Sequence, residues 1–197
     1  MQLFLDTCVP CIKQKTLNSS YTDINQQLVD ECRQGSRKAQ YMLYKLYAKA
    51  MFGTAMRILN NEAEAEDVLQ EAFLDAFQKI EGFKGEATFG SWLKRIVINK
   101  SLNMLKKRKL EFKDIESYDF GDDSYTQQEQ AETEAEKIKK IHQAIQKLPD
   151  GFRTVLTLYL IEEYSHKQIA EALGITESTS KSQLNRAKAK LRELLRE

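Results

Sequence analysis

Residues 83–109 read FKGEATFGSWLKRIVINKSLNMLKKRK. From Thr88 onward, Phe89, Trp92, Leu93, Ile96 and Val97 recur at three- and four-residue spacing, so they share one face of a helix. Lys94, Arg95, Lys100, Lys106, Lys107, Arg108 and Lys109 join them, and no acid lies between Thr88 and Lys109. A cationic helix carrying Asn99 and Asn103, entered through aromatic residues, suits a nucleic-acid backbone with unstacked bases beside it. An amphipathic helix whose lysines are merely solvated fits this stretch equally well. The surrounding chain has to decide.

Two prolines and eight glycines in 197 residues favour helices over a sheet-and-turn architecture, and 42% hydrophobic content suffices for helical cores. The expected fold class is all-α. The formal net charge is only +1, yet the charge is strongly segregated. No run approaches the length of a membrane span, and the start MQLFLDTCVPC lacks a basic lead, so a cytoplasmic protein with reduced cysteines is expected. Cys8 and Cys11 form a CxxC, the spacing of a redox pair or of half a metal site. No second cysteine or histidine pair completes a zinc site, so ordinary thiols on a loose leader are the expectation, with no metal and no cofactor.

Taken in order, residues 1–22 form an expected flexible arm. A short helix over 24–34 ends at Gly35, and Ser36 caps the next. Residues 37–59 carry Ala39, Leu43, Leu46, Tyr47, Ala50, Met51 and Met56 as one buried stripe, broken by Asn60 and Asn61. Residues 62–80 are two-sided, with Val68, Leu69, Ala72, Phe73, Ala76 and Phe77 against Glu62, Glu64, Glu66, Asp67, Glu71 and Asp75. That acidic face is either simply solvated or a docking surface for a basic partner. The Gly-flanked loop 81–87 delivers Phe83 and Lys84, which either clasp a base pulled from the stack or, for Phe83, tuck into the core.

Composition then shifts. Residues 111–136 hold ten acids against one base, Lys113, with too few apolar residues to fold alone. Residues 110–134 are therefore an expected acidic linker between two compact units, 23–109 and 135–197. In the second unit, 135–147 is a helix stopped by Pro149, and the apolar FRTVLTLYLI (152–161) is its core helix. Ser165 caps a short helix, Gly174 makes a turn, and Thr176 caps a helix with Leu184, Ala187, Leu191 and Leu194 inward. Lys181, Ser182, Gln183, Asn185, Arg186, Lys188 and Lys190 fall mostly outward. Helix, glycine turn and capped basic helix is the helix-turn-helix pattern, whose second helix enters the major groove. No acid lies from Ser178 to Arg192, and the outward donors suit phosphates and guanines.

With these blocks in view, the chain resembles a bacterial RNA polymerase sigma factor of the two-domain extracytoplasmic-function group. AEDVLQEAFLDAF (65–77) resembles the region-two helix that docks the polymerase clamp helices. ATFGSWLKRIVINKSLNMLKK (87–107) resembles the promoter-melting and minus-10 helix, and residues 148–195 resemble the region-four domain that reads the minus-35 element. The resemblance implies polymerase contacts at Asp67, Gln70 and Glu71. It implies minus-10 contacts at Trp92, Arg95, Asn99 and Lys100, with Phe83 and Lys84 handling a flipped base. Minus-35 contacts fall on Lys181, Ser182, Gln183 and Arg186. It further implies core RNA polymerase, promoter DNA and an anti-sigma factor as partners, and melting driven by binding energy rather than nucleotide hydrolysis. TESTS (176–180) departs from the family pattern, and the arm with its CxxC is unexplained by it. The runner-up is a helix-turn-helix regulator that binds DNA without becoming a polymerase subunit, which leaves Asp67, Gln70 and Glu71 without a use. A nucleic-acid enzyme is not expected: there is no Gly-rich phosphate loop, paired-carboxylate metal motif or nucleophile–base arrangement, hence no catalytic residue.

Overall fold

In the computed structural model the described residues are 19–108 and 133–196, with side chains described from Asn25 onward. Cys8, Cys11 and nearly all of the expected acidic linker lie outside the described residues. Among the described residues the chain is all-α: eight α-helices and a single 3-10 turn, Ile80–Gly82. None of these helices is long and apolar enough to cross a membrane.

The first four helices form one lobe. Helix α1 (Ser19–Arg33) takes in the last residues of the expected arm. A first helical turn needs no apolar face, so periodicity could not reveal it. Gly35, at φ 83, ends that helix in the left-handed region, and Ser36 accepts from the Ala39 amide to open α2 (Arg37–Leu59). The Asn60-Asn61 break divides two tasks. Asn60 adopts φ 52 as the C-cap of α2, while Asn61 accepts from the Glu64 amide as the N-cap of α3 (Glu62–Gln78). Acids in the first turn of α3 also suit its dipole. Thr88 accepts from the Ser91 amide and opens α4 (Phe89–Lys107).

Helices α2, α3 and α4 pack on one another, and α1 lies along α2. The buried stripe of α2 is Ala39, Leu43, Met51, Thr54, Ala55, Ile58 and Leu59. Leu46, expected inside, is 47% exposed, and Ala50 is exposed too. The helix turns about 100° per residue, so Leu46 and Ala50 both fall to one side of the stripe that runs through Leu43 and Met51. Cys32 is buried under this lobe, and its burial, aided by the neighbouring Glu31 charge, pushes the thiol pKa up to about 11.

The second lobe contains α5 (Glu134–Lys147), α6 (Asp150–Leu160), α7 (His166–Leu173) and α8 (Glu177–Leu194). Thr133 and Glu136 form a capping box at the start of α5. Helix α6 is buried along eight consecutive residues, Gly151 through Leu158, with Arg153, Thr154 and Thr157 among them. Helix α8 packs on it, and α7 packs on α8.

The lobes are not separate. Helix α2 packs against α6, α4 touches α7, and one hydrophobic cluster runs through both lobes. Arg153, only 2% exposed, sits at this junction. It donates to the Leu148 carbonyl at 2.8 Å and to the Ile58 carbonyl across the junction at 3.5 Å, and it pairs with Asp150. Arg108, just past α4, donates to Glu64 and to the Leu59 carbonyl and lies 3.9 Å from Asp150. Asn60 adds a bond to the Gln146 carbonyl at 3.1 Å.

Leu93 has no exposed surface, so Leu93→Ala should cost about 2–5 kcal/mol through the cavity it leaves. Leu46→Ala, on the exposed side of α2, should stay within about 0.5 kcal/mol. Urea unfolding of both variants separates them, and equal costs would refute the assigned register.

Candidate nucleic-acid interface

Helix α4 buries Phe89, Leu93, Val97, Ile98, Ser101, Leu102 and Leu105 against α2 and α3. Its remaining surface is therefore polar and cationic. Arg95 and Asn99 are exposed, one turn apart on the same strip. Trp92 is half-buried at the entry, with its ring 5.2 Å from Phe83 and 5.7 Å from Phe89.

Phe83 takes the core alternative. It is 4% exposed, meets Phe89 edge-on at 6.0 Å, and its carbonyl accepts from Arg33 at 2.5 Å. A ring so enclosed cannot stack on a base in this conformation; it stiffens the seat of Trp92 instead. Lys84, next to it, is exposed. Gly90 matters in the same seat, since a Cβ there would lie 2.7 Å from the Tyr47 ring, which itself packs on Phe89.

Lys100 is tied across to α3. Its ammonium lies 3.1 Å from both Glu71 Oε2 and Asp75 Oδ2. Burial works against that charge, but the hydrogen bonds Lys100 donates to Glu71 and Asp75 outweigh it and hold its pKa above the ordinary value. The Lys100 hydrogen bond in turn holds the Asp75 carboxyl below the usual carboxylate range. Asp67, Gln70 and Glu71 are all exposed on α3. Leu74, 61% exposed, lies one turn beyond Gln70 and Glu71. Tyr41, Met42 and Tyr44 on α2 are exposed as well, and the Tyr44 ring lies 4.8 Å from Phe73 of α3. The exposure of Leu74 and of these α2 side chains escaped the sequence reading.

In the second lobe, Ser165 and Gln168 make a capping box that starts α7, and Gly174, at φ 70, turns the chain toward α8. Thr176 accepts from the Thr179 amide to start α8. Lys181, Ser182, Asn185 and Arg186 are exposed along α8. Gln183 corrects the expected outward set, for it is 5% exposed. Ser180, Gln183, Leu184 and Ala187 follow the i, i+3, i+4, i+7 pattern of a buried stripe, and two polar members hid that stripe in the sequence. The His166 ring stacks on Tyr159 at 4.5 Å, and its Nδ1 lies 2.9 Å from the buried Ser180 hydroxyl.

Between the lobes lies a cleft of about 580 Å³. Ser91, Lys94, Arg95 and Asn99 of α4 form one wall, and Glu162, Tyr164, Gln168 and Glu171 face them. The Glu162 side chain is 1% exposed. Its carboxylate lies 3.0 Å from the Arg57 guanidinium and 3.0 Å from the Lys94 ammonium. Burial raises the Tyr164 phenol pKa, with the Arg95 charge opposing. Neither Arg57 nor Glu162 stood out in the sequence, and a Glu-Glu pair after an apolar helix looks like ordinary surface. Among the described residues no group of His, Cys, Asp and Glu side chains could hold a metal ion.

The chain matches the family models for Sigma-70 region 2 over residues 43–111 and Sigma-70 region 4 over residues 138–191. The RNA polymerase sigma-H factor of Pseudomonas aeruginosa is 33% identical over 187 residues, covering 88% of this chain and 96% of that one. The ECF RNA polymerase sigma factor SigW of Bacillus subtilis is 31% identical over 179 residues, covering 86% of this chain and 95% of that one. Among solved structures, CnrH in complex with the cytosolic domain of CnrY is 23% identical, covers 87% of this chain and 96% of that chain, and superposes with a TM-score of 0.49.

Burial, with the Lys181 and Lys188 charges adding to it and Glu177 opposing, holds the His166 pKa below its ordinary 6.5. The unfolded chain therefore takes up this proton first. Stability should fall as pH drops below about 6.5 and level off once the folded-state pKa is passed. Urea midpoints at about pH 7.5 and 5.5 should differ less in His166→Gln than in the wild-type chain. An equal drop in both would assign the pH dependence elsewhere.

Proposed function

The chain belongs to the RNA polymerase sigma factors, in their extracytoplasmic-function group, and on that premise we propose how its surfaces divide the work of starting transcription. It is a transcription initiation factor and not an enzyme: it binds core RNA polymerase, directs it to promoters and helps melt the DNA. The exposed Asp67, Gln70 and Glu71 of α3 accept charge-assisted hydrogen bonds from the polymerase, with Leu74 and Tyr44 as apolar rim. Arg95 and Asn99 of α4, with Trp92 and Lys84 at its entry, hold the unpaired minus-10 strand. Lys100 supports that helix through Glu71 and Asp75, and Phe83 supports Trp92. Lys181, Ser182 and Arg186 of α8 enter the major groove at the minus-35 element, and Gln183 sets the seating of α8 on its lobe. A restraining anti-sigma factor belongs to the same reading.

One observation carries this division of labour. Helix α3 exposes an acidic face of its own beside the cationic α4, and a regulator acting without polymerase would have no use for that face. Melting in this scheme draws on binding energy alone, because single-stranded bases bind α4 only once unpaired.

Asp67→Lys should weaken capture of core polymerase at least about tenfold in a pull-down titration, by loss of a charge-assisted contact and gain of repulsion. Unchanged capture would reject the α3 docking face. Lys181→Ala and Arg186→Ala should each cost roughly 1–3 kcal/mol in binding to a promoter selected from a library with core enzyme. Run-off transcription with unaltered minus-35 preference in both variants would reject α8 as the reader.

A further inference from the structure

Helix α4 is entered through a short exposed stretch strung between two buried rings. Phe83 is 4% and Phe89 3% exposed, with their rings 6.0 Å apart, while residues 84–88 between them are all exposed. Phe83 is extended, at φ −74 and ψ 106, so with its ring turned inward the Lys84 side chain leaves on the opposite side. Gly85, at φ 74, then turns the chain in a region that side-chain-bearing residues rarely adopt. Among the described residues the amides of Lys84, Gly85, Glu86 and Ala87 make no backbone hydrogen bond. A segment without bonds of its own takes its course from whatever holds its ends. At the exit, the Thr88 carbonyl accepts from the Trp92 amide and its hydroxyl caps α4. The entry is held from another helix.

Arg33, the last residue of α1, donates from Nη2 to the Phe83 carbonyl at 2.5 Å and from Nη1 to Asp30 at 2.7 Å. One planar guanidinium thus spans a helix carboxylate and a loop carbonyl fifty residues away, a task that suits the arginine fork and not the single ammonium of a lysine. The same helix braces the other side of the seat. The Asn25 side-chain amide donates to the Tyr47 hydroxyl at 3.1 Å, and the Tyr47 ring packs on Phe89 at 5.6 Å. A cation in the last turn of a helix also suits its dipole, so the bland role for Arg33 is to close α1. That role asks only for positive charge. The bond to Phe83 asks for this side chain.

We propose that Arg33 is a positioning residue for minus-10 recognition: it fixes the Phe83 carbonyl, and through it sets where Lys84 and the Trp92 ring stand toward the unpaired strand. This rests on the reading of the α4 entry as the place where that strand is held. Arg33 touches no nucleotide in this scheme. It acts through Phe83, whose ring lies 5.2 Å from Trp92 and whose backbone leads directly into Lys84. Base selectivity at the minus-10 element therefore depends in part on α1, a helix that need not meet the DNA at all.

The test compares Arg33→Lys, Lys84→Ala and the double variant in the full chain. Trp92 is the only tryptophan in the sequence, so its fluorescence reports on the seat directly, without DNA or polymerase. Acrylamide should quench it more readily in Arg33→Lys than in wild type, while the urea midpoints stay alike, because the charge that closes α1 is kept. With core polymerase and a promoter library, Arg33→Lys should lose about fivefold or more in discrimination at one minus-10 position and none at minus-35. Lys84→Ala should lose it at the same position, and the double variant should lose little more than either single one, as coupled sites do. Wild-type selectivity in Arg33→Lys beside a loss in Lys84→Ala would overturn the positioning role and leave the strand-holding site standing. No loss in either variant would remove that site, and the proposal with it. A loss spread evenly over minus-10 and minus-35, or one accompanied by a lowered urea midpoint, would return Arg33 to a purely structural part.

Discussion

A guanidinium with almost no access to water sits where the two lobes meet. Burying a charge costs several kcal/mol unless it is paired and hydrogen-bonded, so Arg153 can exist at the junction only with Leu148, Asp150 and Ile58 in place. Those partners come from the α5–α6 turn and from the end of α2, which fixes where the second lobe can sit. Arg108 then links the end of α4 to α3, α2 and Asp150. The cleft and the enclosed Glu162 follow from that seating. Apolar contact between α2 and α6 drives the association, while the buried arginine makes it specific to one arrangement.

The fold was legible to the extent that each helix carries its own signals. Ser36, Ser165 and Thr176 each cap the helix they were expected to open, while Asn61, read as a break, and Thr88, read as a helix start, act as caps too. Gly35 and Gly174 mark turns that need positive φ. Where residue type and position disagreed, the reading slipped. Leu46 is apolar but lies off the stripe, and Gln183 is polar but lies on it; composition placed both wrongly and helical geometry placed them right. Phe83 was undecidable from its neighbours, because two flanking glycines are compatible with an exposed ring and with a buried one. Only Arg33, fifty residues away, and the Phe89–Trp92 pair settle it.

The site was legible as chemistry and obscure as arrangement. Cationic periodicity marked α4 and α8, and the acids of α3 announced themselves by density. What sequence could not supply was which charges meet. Arg57 and Glu162 are 105 positions apart, on a helix and a turn that look unremarkable alone. Lys100 looked like one more cation on a basic helix, whereas it is the one that two acids of α3 hold.

That last arrangement would couple the two proposed binding surfaces. Glu71 is the carboxylate on which α3 would receive a positively charged partner, and it is also half of the clamp on Lys100. An arriving arginine that takes Glu71 loosens the clamp and returns part of a positive charge to α4, where a phosphate is the natural recipient. By the reciprocity of linked equilibria, a strand that engages Lys100 must sharpen the affinity of α3 for that arginine by the same factor. If α3 and α4 bind as proposed, that one lysine would act as a relay, each macromolecule finding the protein more receptive once the other has arrived.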